Sequence, residues 1–430
     1  MTLSDTTPQT MPSTIQVEVV TDREAWNRFV EARPTGNITQ TFEWGELGHA
    51  DEGGCLRLGA YANGNLVGAM LVIIERAPLL RRPYFYVPRG PVVDDPTGPA
   101  LAALCSRAAE EAKQRGAFML KVEPNVPDAD ATWITALGKL GFRHNPHATH
   151  PRRSWVLDIT PTEEQLLAGM KEKWRYNVRL SMRKGVQVRE ASSEADIDTF
   201  YALYQETAAR DGIWIHPKEH YAKFLRLYGE RDAAVLLLAE YEGQPIAGLI
   251  AAKCGPVTTY MFGVSSNRER NRMPNHLLQW TAIRWAKARG CTLYDFRAIA
   301  EVLDPSEDMY SLYTYKQGYG GRSFLALASH DLPYSPPLYW LYSRLLGVKR
   351  GRDRRRHLKQ VAAREAKDQP KDQGREASKD SRDATDRASK NAPKPGVSAE
   401  AVRARGKRAT LADMASPAKP VQPPDAADAN

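Results

Sequence analysis

VLLLAEYEGQPIAGLIAAKCG, residues 235–255, is an apolar run, a tight polar turn and a second apolar run. Such a stretch folds as a β-hairpin when its turn accepts left-handed backbone, which Gly243 does at little cost. The same arrangement occurs earlier in LRLGAYANGNLVGAMLVIIERA, residues 56–77, with Asn-Gly-Asn at the turn. A second unit is also repeated: AKQRGAFMLKVEP (112–124) is echoed by AKARGCTLYDFRA (286–298). Each reads as a helix closed by Arg-Gly and followed by a strand, glycine suiting the left-handed cap. Gly64 and Gly243 lie 179 residues apart, and Gly116 and Gly290 lie 174 apart. Two matched units at nearly one offset predict a duplicated domain, and the α/β (α+β) class follows from the mixture of hairpins and helices.

Composition narrows the function classes. The 430 residues suffice for two or three domains, and the longest clean apolar run, LVGAMLVII at 66–74, is too short to cross a bilayer. The first ten residues, MTLSDTTPQT, lack the pattern of a signal peptide, and the cysteines at 55, 105, 254 and 291 lack any paired spacing. A cytoplasmic protein with reduced thiols is expected. No H-E-x-x-H, G-x-S-x-G or Walker pattern is present, which argues against zinc hydrolysis, a covalent serine and nucleotide hydrolysis. Residues 351–430 hold 19 Lys/Arg and 12 Asp/Glu, no Phe, Tyr or Trp, and +7 of the net charge of +9. That segment has too little apolar surface to offset its ordering entropy and is expected to be a disordered basic tail, as are residues 1–14 at the other end.

Between the repeats, DITPTEEQLLAGMKEKWRYNVRLSMRKGVQV (158–188) predicts one helix, capped by Thr160 with Glu163 and running to about Gly185. Its Lys171, Arg175, Arg179 and Arg183 recur every four residues without acidic partners. Stacked like charges repel, so the row implies an anion such as phosphate against it, or else a solvated basic face. In YFYVPRGPVVDD (84–95), Arg89 is a candidate anion ligand and Asp94 a candidate base, although a polar strand-end turn accounts for both. After residue 332 prolines break the chain and an aromatic-aliphatic helix follows, ending in a basic run. That helix either packs on the first half or, with residues 349–359, meets anionic lipid.

The segment YSLYTYKQGYGG (310–321) surrounds one lysine, Lys316, with four tyrosines and three glycines. A lysine walled by rings is placed for electrostatic work away from water.

Four blocks in series, QTFEWGELG (40–48), KWRYNVRLSMRKGVQV (173–188), NHLLQWTAIRWAKARGCTLYDFRAI (275–299) and LYTYKQGYGG (312–321), resemble the FemABX aminoacyltransferases of peptidoglycan bridge formation. The resemblance covers about residues 15–350. It implies tandem GNAT-like domains over 15–155 and 156–327, with 328–350 completing the first. It also implies transfer of an amino acid from aminoacyl-tRNA to a stem-peptide amine of UDP-MurNAc-pentapeptide or lipid II, with no metal and no cofactor beyond the tRNA co-substrate. GNAT enzymes cradle coenzyme A with R-x-x-G-x-G at a helix N-terminus, and here RNRMPN lacks both glycines. By the resemblance Lys316 stabilises the developing oxyanion, Tyr315 stacks on the terminal adenine, and Tyr260 lines the acceptor channel. Arg175 and Arg179 match the basic helix, and Asp94 is a base unless the reaction is substrate-assisted. Tyr86, Arg89 and Lys218 complete the substrate-binding set. This chain departs from the family where a phosphate-binding lysine is common, at Gly48, and where His216 and Lys218 replace an arginine; it also lacks the coiled-coil arm. A monomer, peripheral at the inner face of the plasma membrane, is expected. The competing readings are a coenzyme A-dependent N-acyltransferase and a non-catalytic RNA-binding protein.

Overall fold

A computed structural model describes residues 14–47, 54–78, 80–305, 307 and 309–368. Gly48 and the residues before 14 and beyond 368 lie outside the described residues. Two sheets organise the chain. The first contains β1 (Ile15–Val19), β2 (Cys55–Ala62), β3 (Asn65–Arg76), β4 (Pro83–Val87), β5 (Val92–Val93), β6 (Met119–Val122) and β7 (Arg143–Asn145). The second contains β8 (Arg153–Asp158), β9 (Gln187–Ala191), β10 (Ala234–Tyr241), β11 (Gln244–Cys254), β12 (Val257–Ser265), β13 (Leu293–Ala298) and β14 (Arg322–Leu325). The chain then returns, and β15 (Ser329–Pro333) enters the first sheet between β6 and β7.

The strand orders are β1-β2-β3-β4-β6-β15-β7 and β9-β10-β11-β12-β13-β8-β14, with β5 paired to β3 outside the main path. In the order given, the fourth and fifth strands of each sheet are its one parallel pair, β4 with β6 and β12 with β13. The repeat read from sequence is thus a repeat of topology. Both hairpin turns put two residues in the left-handed region, Asn63 and Gly64 at φ 50° and 78°, Glu242 and Gly243 at φ 49° and 73°. Even the irregularity recurs, as the register slips between Ala60 and Tyr61 and again between Ala239 and Glu240.

Helices α1 (Arg23–Glu31), α2 (Phe42–Glu46), α3 (Pro99–Arg115) and α4 (Ala131–Lys139) belong to the first half. Helices α5 (Glu163–Gly169), α6 (Glu172–Arg183), α7 (Glu194–Asp211), α8 (Lys218–Gly229), α9 (Pro274–Ala288) and α10 (Tyr310–Gln317) belong to the second, and α11 (Pro336–Asp368) follows β15. Gly116 and Gly290 close α3 and α9 at φ 67° and 74°, as their Arg-Gly signals require. The halves share a core in which Trp26, Phe29, Tyr221, Phe224 and Tyr228 are buried together. Each such side chain contributes about 1.5–3 kcal/mol by leaving water. The seam is also polar: Thr41 and Tyr228 share a hydroxyl hydrogen bond of 2.7 Å, and Arg231 pairs with Glu31 and buried Glu43.

Two local expectations need correction. The single helix predicted from about residue 160 is α5 followed by α6, with Met170 and Lys171 extended between them. Its cap is Thr162 with Gln165, because the Thr160 hydroxyl is already bonded to Asp158 at 2.7 Å. At the other end, α11 continues past residue 350 to Asp368. Residues 352–368 contain neither Gly nor Pro and are rich in Arg, Lys, Gln, Ala and Glu, which favour helix, and Pro370 follows. The start of α11 packs Leu338, Tyr339 and Tyr342 against Tyr84 and Phe118 of the first half. No helix among the described residues is long and apolar enough to cross a membrane.

Candidate active site

Lys316 lies in the last turn of α10, where a cation meets the carbonyl end of a helix. Its side chain is only 5% exposed. The Nζ donates to the carbonyl of Ala298 at 2.7 Å and stands 5.9 Å from the centroid of the Tyr260 ring. Burial pulls its pKa down to about 8, against the opposing pull of the Asp295 carboxylate, while Arg297 adds to the lowering. At neutral pH it remains mainly a cation.

The turn behind Lys316 is built from close contacts. Gly318 lies against the Trp174 indole, and Trp174 Nε1 donates to the carbonyl of Tyr315 at 2.9 Å. The backbone N–H of Lys171 donates to the Gly318 carbonyl at 2.9 Å. Tyr315 donates to the backbone carbonyl of Asn275 at 3.1 Å and shares a 2.9 Å hydrogen bond with Tyr319. The aromatic ring set of the sequence thus fixes one helical turn.

Lys316 faces a cavity of about 440 Å³ lined also by Tyr204, Arg210, Tyr260, Asn275 and Tyr315. A second cavity, of about 500 Å³, is lined by residues of both halves, among them Asn37, Arg89, His150, Asp295, Arg297 and Arg322. Arg297 and Ala298 line both, so one short segment of β13 separates the two spaces. There β13 bulges between Asp295 and Ala298, and Arg297 takes φ 61°. A non-glycine residue pays about 1–3 kcal/mol for such a backbone, which neighbouring structure must enforce. The Asp295 carboxylate accepts the Arg297 backbone N–H at 2.7 Å. Burial raises the Asp295 pKa, opposed by Arg297, Arg89 and Lys316.

The structure brings together Lys316, Tyr315 and Tyr260, and it places Arg89 on the adjoining cavity. Other residues of the expected set stand apart. Asp94 is exposed, lines neither cavity and is held by Nε and Nη2 along one edge of the Arg33 guanidinium, at 2.8 and 3.3 Å. Tyr86 is buried with its hydroxyl donating to Glu123 at 2.6 Å, which closes it to substrate. Burial raises the Glu123 pKa, but hydrogen bonds from His150, Ser329 and Tyr86 outweigh it and hold the carboxyl at about 2. Lys218 pairs with Asp198 at 2.7 Å on the surface of α7 and α8. Arg175 folds back onto the carbonyls of Leu167, Ala168 and Met170 at the end of α5, at 3.1–3.4 Å. Its charge is satisfied by a helix terminus. Arg179 is exposed, as are Lys173 and Arg183.

Asp295 and Arg297 are the functional candidates that sequence reading passed over. A signal existed, since the repeat aligns them with Lys121 on β6 and Glu123 just beyond its end, so each half sets two charges two residues apart along an otherwise apolar stretch. Among the described residues no group of His, Cys, Asp and Glu is arranged to hold a metal ion.

Comparison with known proteins places this architecture. The crystal structure of FemX superposes with a TM-score of 0.70 at 22% identity, covering 76% of this chain and 99% of FemX. A tandem GNAT protein from the clavulanic acid biosynthesis pathway reaches 0.50 at 13% identity, covering 75% of this chain and 99% of its own. Among curated proteins, the lipid II:glycine glycyltransferase of Staphylococcus saprophyticus is 25% identical over 389 residues, covering 74% of this chain and 93% of that protein. Its counterpart in Staphylococcus aureus is 25% identical over 387 residues, covering 73% and 92%. The fold is therefore the tandem GNAT-like one. The FemAB family model matches residues 21–244 and 237–346, most of the chain, and this protein belongs to the FemAB family.

Proposed function

We propose that this protein is an aminoacyltransferase that builds peptidoglycan interpeptide bridges, moving an amino acid from aminoacyl-tRNA to a stem-peptide amine of lipid II. The observation that carries the reading is the pair of cavities meeting at Arg297 and Ala298, with a buried lysine on one side. Two substrates can each occupy one cavity and react where the two spaces share Arg297 and Ala298. The charged tRNA end enters beside Lys316, where Tyr315 offers a face for the terminal adenine and Lys173, Arg179 and Arg183 offer exposed charge for phosphates. The acceptor enters the larger cavity, where Asp295 is placed to receive its ammonium and take the proton. The free amine attacks the ester carbonyl, the oxygen becomes an anion beside Lys316, and the bond to the ribose oxygen breaks as that oxygen regains a proton. No further cofactor is needed, because the ester is already activated.

The decisive experiment incubates the full chain with mixed charged tRNAs and lipid II and reads the product mass. A gain of one or more amino-acid residues is expected, and its value names the amino acid. Transfer from acetyl-coenzyme A with no transfer from tRNA would overturn the reading in favour of an ordinary acetyltransferase.

A lipid-linked acceptor calls for a membrane contact, and α11 supplies one. Trp340, Leu341 and Val348 are 60%, 39% and 55% exposed, beside Arg344, Lys349, Arg350 and Arg352. Apolar anchors among cations suit an anionic bilayer surface. The protein should sediment with phosphatidylglycerol vesicles and not with phosphatidylcholine, and Trp340→Ser with Leu341→Ser should abolish this. Equal sedimentation of that double variant would assign the contact elsewhere.

A further inference from the structure

Two arginines on the acceptor side share an unusual setting. Arg89 and Arg297 both line the larger cavity, and both hold left-handed backbone, at φ 48° and 61°. L-residues other than Asn and Asp seldom adopt that conformation, and its recurrence at two facing cations marks positions that the fold enforces. Neither guanidinium has a carboxylate within 4.0 Å among the described residues. Arg89 donates to the carbonyl of Pro151, and Arg297 donates to that of Met261 at 3.3 Å. Burial lowers the pKa of Arg297; Asp295 opposes that lowering and Arg89 adds to it. One carboxylate, Asp295, thus faces two guanidiniums, with Lys316 also acting on it. Half-buried cations in excess of their counter-charges constitute a site for an incoming anion.

The position of the pair limits which anion that is. Arg297 precedes Ala298, whose carbonyl holds Lys316 Nζ. On the proposed reading, which this inference deepens and rests on, the reacting amine must lie within a few bonds of that point. The phosphates of a lipid-linked precursor are separated from the stem's third side chain by a sugar and at least two residues, a reach of roughly 7 Å from the residues alone. A carboxylate on the same carbon as the amine meets the requirement directly. We infer that the acceptor side chain ends as a zwitterion, its ammonium at Asp295 and its carboxylate held by Arg89 and Arg297. The third stem residue is then a diamino acid of the diaminopimelate kind and not lysine. Gripping both groups also fixes the direction from which the amine attacks, which a lone ammonium contact leaves free to rotate.

The test compares three lipid II acceptors, with meso-diaminopimelate, with lysine, and with diaminopimelate amidated at the carboxyl beside its reacting amine. The wild-type kcat/KM should favour the first over the other two by at least about tenfold, the loss expected when a charged hydrogen-bonding partner is missing. In Arg89→Asn and Arg297→Asn, where asparagine tolerates the left-handed backbone, the preference should collapse toward one, with thermal melting checking that each variant is folded. Equal use of lysine by the wild type would overturn the inference and leave the transferase reading intact. So would an equal loss of all three acceptors in the variants, which would assign the arginines to the precursor's phosphates. Calorimetric binding of the three acceptors separates the remaining case. Preferential binding without transfer from any charged tRNA would retain the anion site and overturn the proposed reaction, and absence of both would overturn the two together.

Discussion

Replacing Lys316 by methionine should lower kcat/KM for aminoacyl transfer by about 10²–10³-fold while leaving the protein at least as stable. The first half of this expectation follows from the anion that forms when an amine adds to an ester. A single positioned donor at such an oxygen contributes about 3 kcal/mol of barrier lowering, more effectively in a site that excludes water. Lys316 is 5% exposed and already oriented by the Ala298 carbonyl, so little rearrangement is needed to bring Nζ to the oxyanion. The second half follows from the same burial. Methionine fills nearly the same space, and removing a charge that burial already penalises relieves the folded state. Stability and activity should therefore move in different directions, which separates a chemical role for Lys316 from a packing one.

The pH dependence supplies an independent check on that lysine. The acceptor amine must be neutral to attack, so kcat/KM should climb as pH rises. Lys316, titrating at about 8, must be charged to stabilise the oxyanion, so the climb should flatten above about pH 8 as that charge is lost. In Lys316→Met the flattening should vanish from an otherwise lower profile. A wild-type profile that rises smoothly through pH 8 to 9 would remove Lys316 from the transition state.

What the sequence disclosed and what it hid divide along a physical line. Tight turns and helix ends are local, and the two-residue turns at 63–64 and 242–243 and the caps at Gly116 and Gly290 could be read from neighbours alone. Because such signals recurred at nearly one offset, the duplicated architecture could be read too. Lys316 was visible for a related reason, since its ring-rich surroundings lie within the same twelve residues. Side-chain partners that come from distant segments left no local trace. Asp94 looked available until Arg33 met it from 61 positions away. Arg175 looked like a phosphate ligand, but a break at Met170 and Lys171 turned the end of α5 toward it. Tyr86 was expected to meet substrate, yet Glu123 takes its hydroxyl, and Ser329, brought in by the return of β15, holds the same carboxylate. Asp295 and Arg297 acquire meaning only when β13 bulges between two cavities.

Trp174 on α6 props the turn that carries Lys316, and the second large effect arises there, at a residue that touches no substrate. Gly318→Ala should destabilise the protein by about 1–3 kcal/mol and lower transfer activity as well. Gly318 has ordinary helical backbone at φ −65°, so alanine costs nothing in conformation. The cost is steric, since a Cβ there would stand 2.0 Å from Trp174 Cε2 and 2.5 Å from its Nε1. The indole cannot retreat freely, because its Nε1–H holds the Tyr315 carbonyl and its ring meets His276 edge-on at 5.8 Å. Displacing it releases the last turn of α10, and Lys316 loses its fixed relation to Ala298. Trp174→Ala alone should also be destabilising, by up to about 3 kcal/mol because the ring is only partly buried. Combined with Gly318→Ala it removes the ring that the new methyl strikes, so the double variant should lose less than the two single losses added together, by about 1 kcal/mol or more. Chemical denaturation of the four proteins measures that coupling. Strict additivity would show that the indole and the glycine act separately, and that something other than their contact holds Lys316 in place.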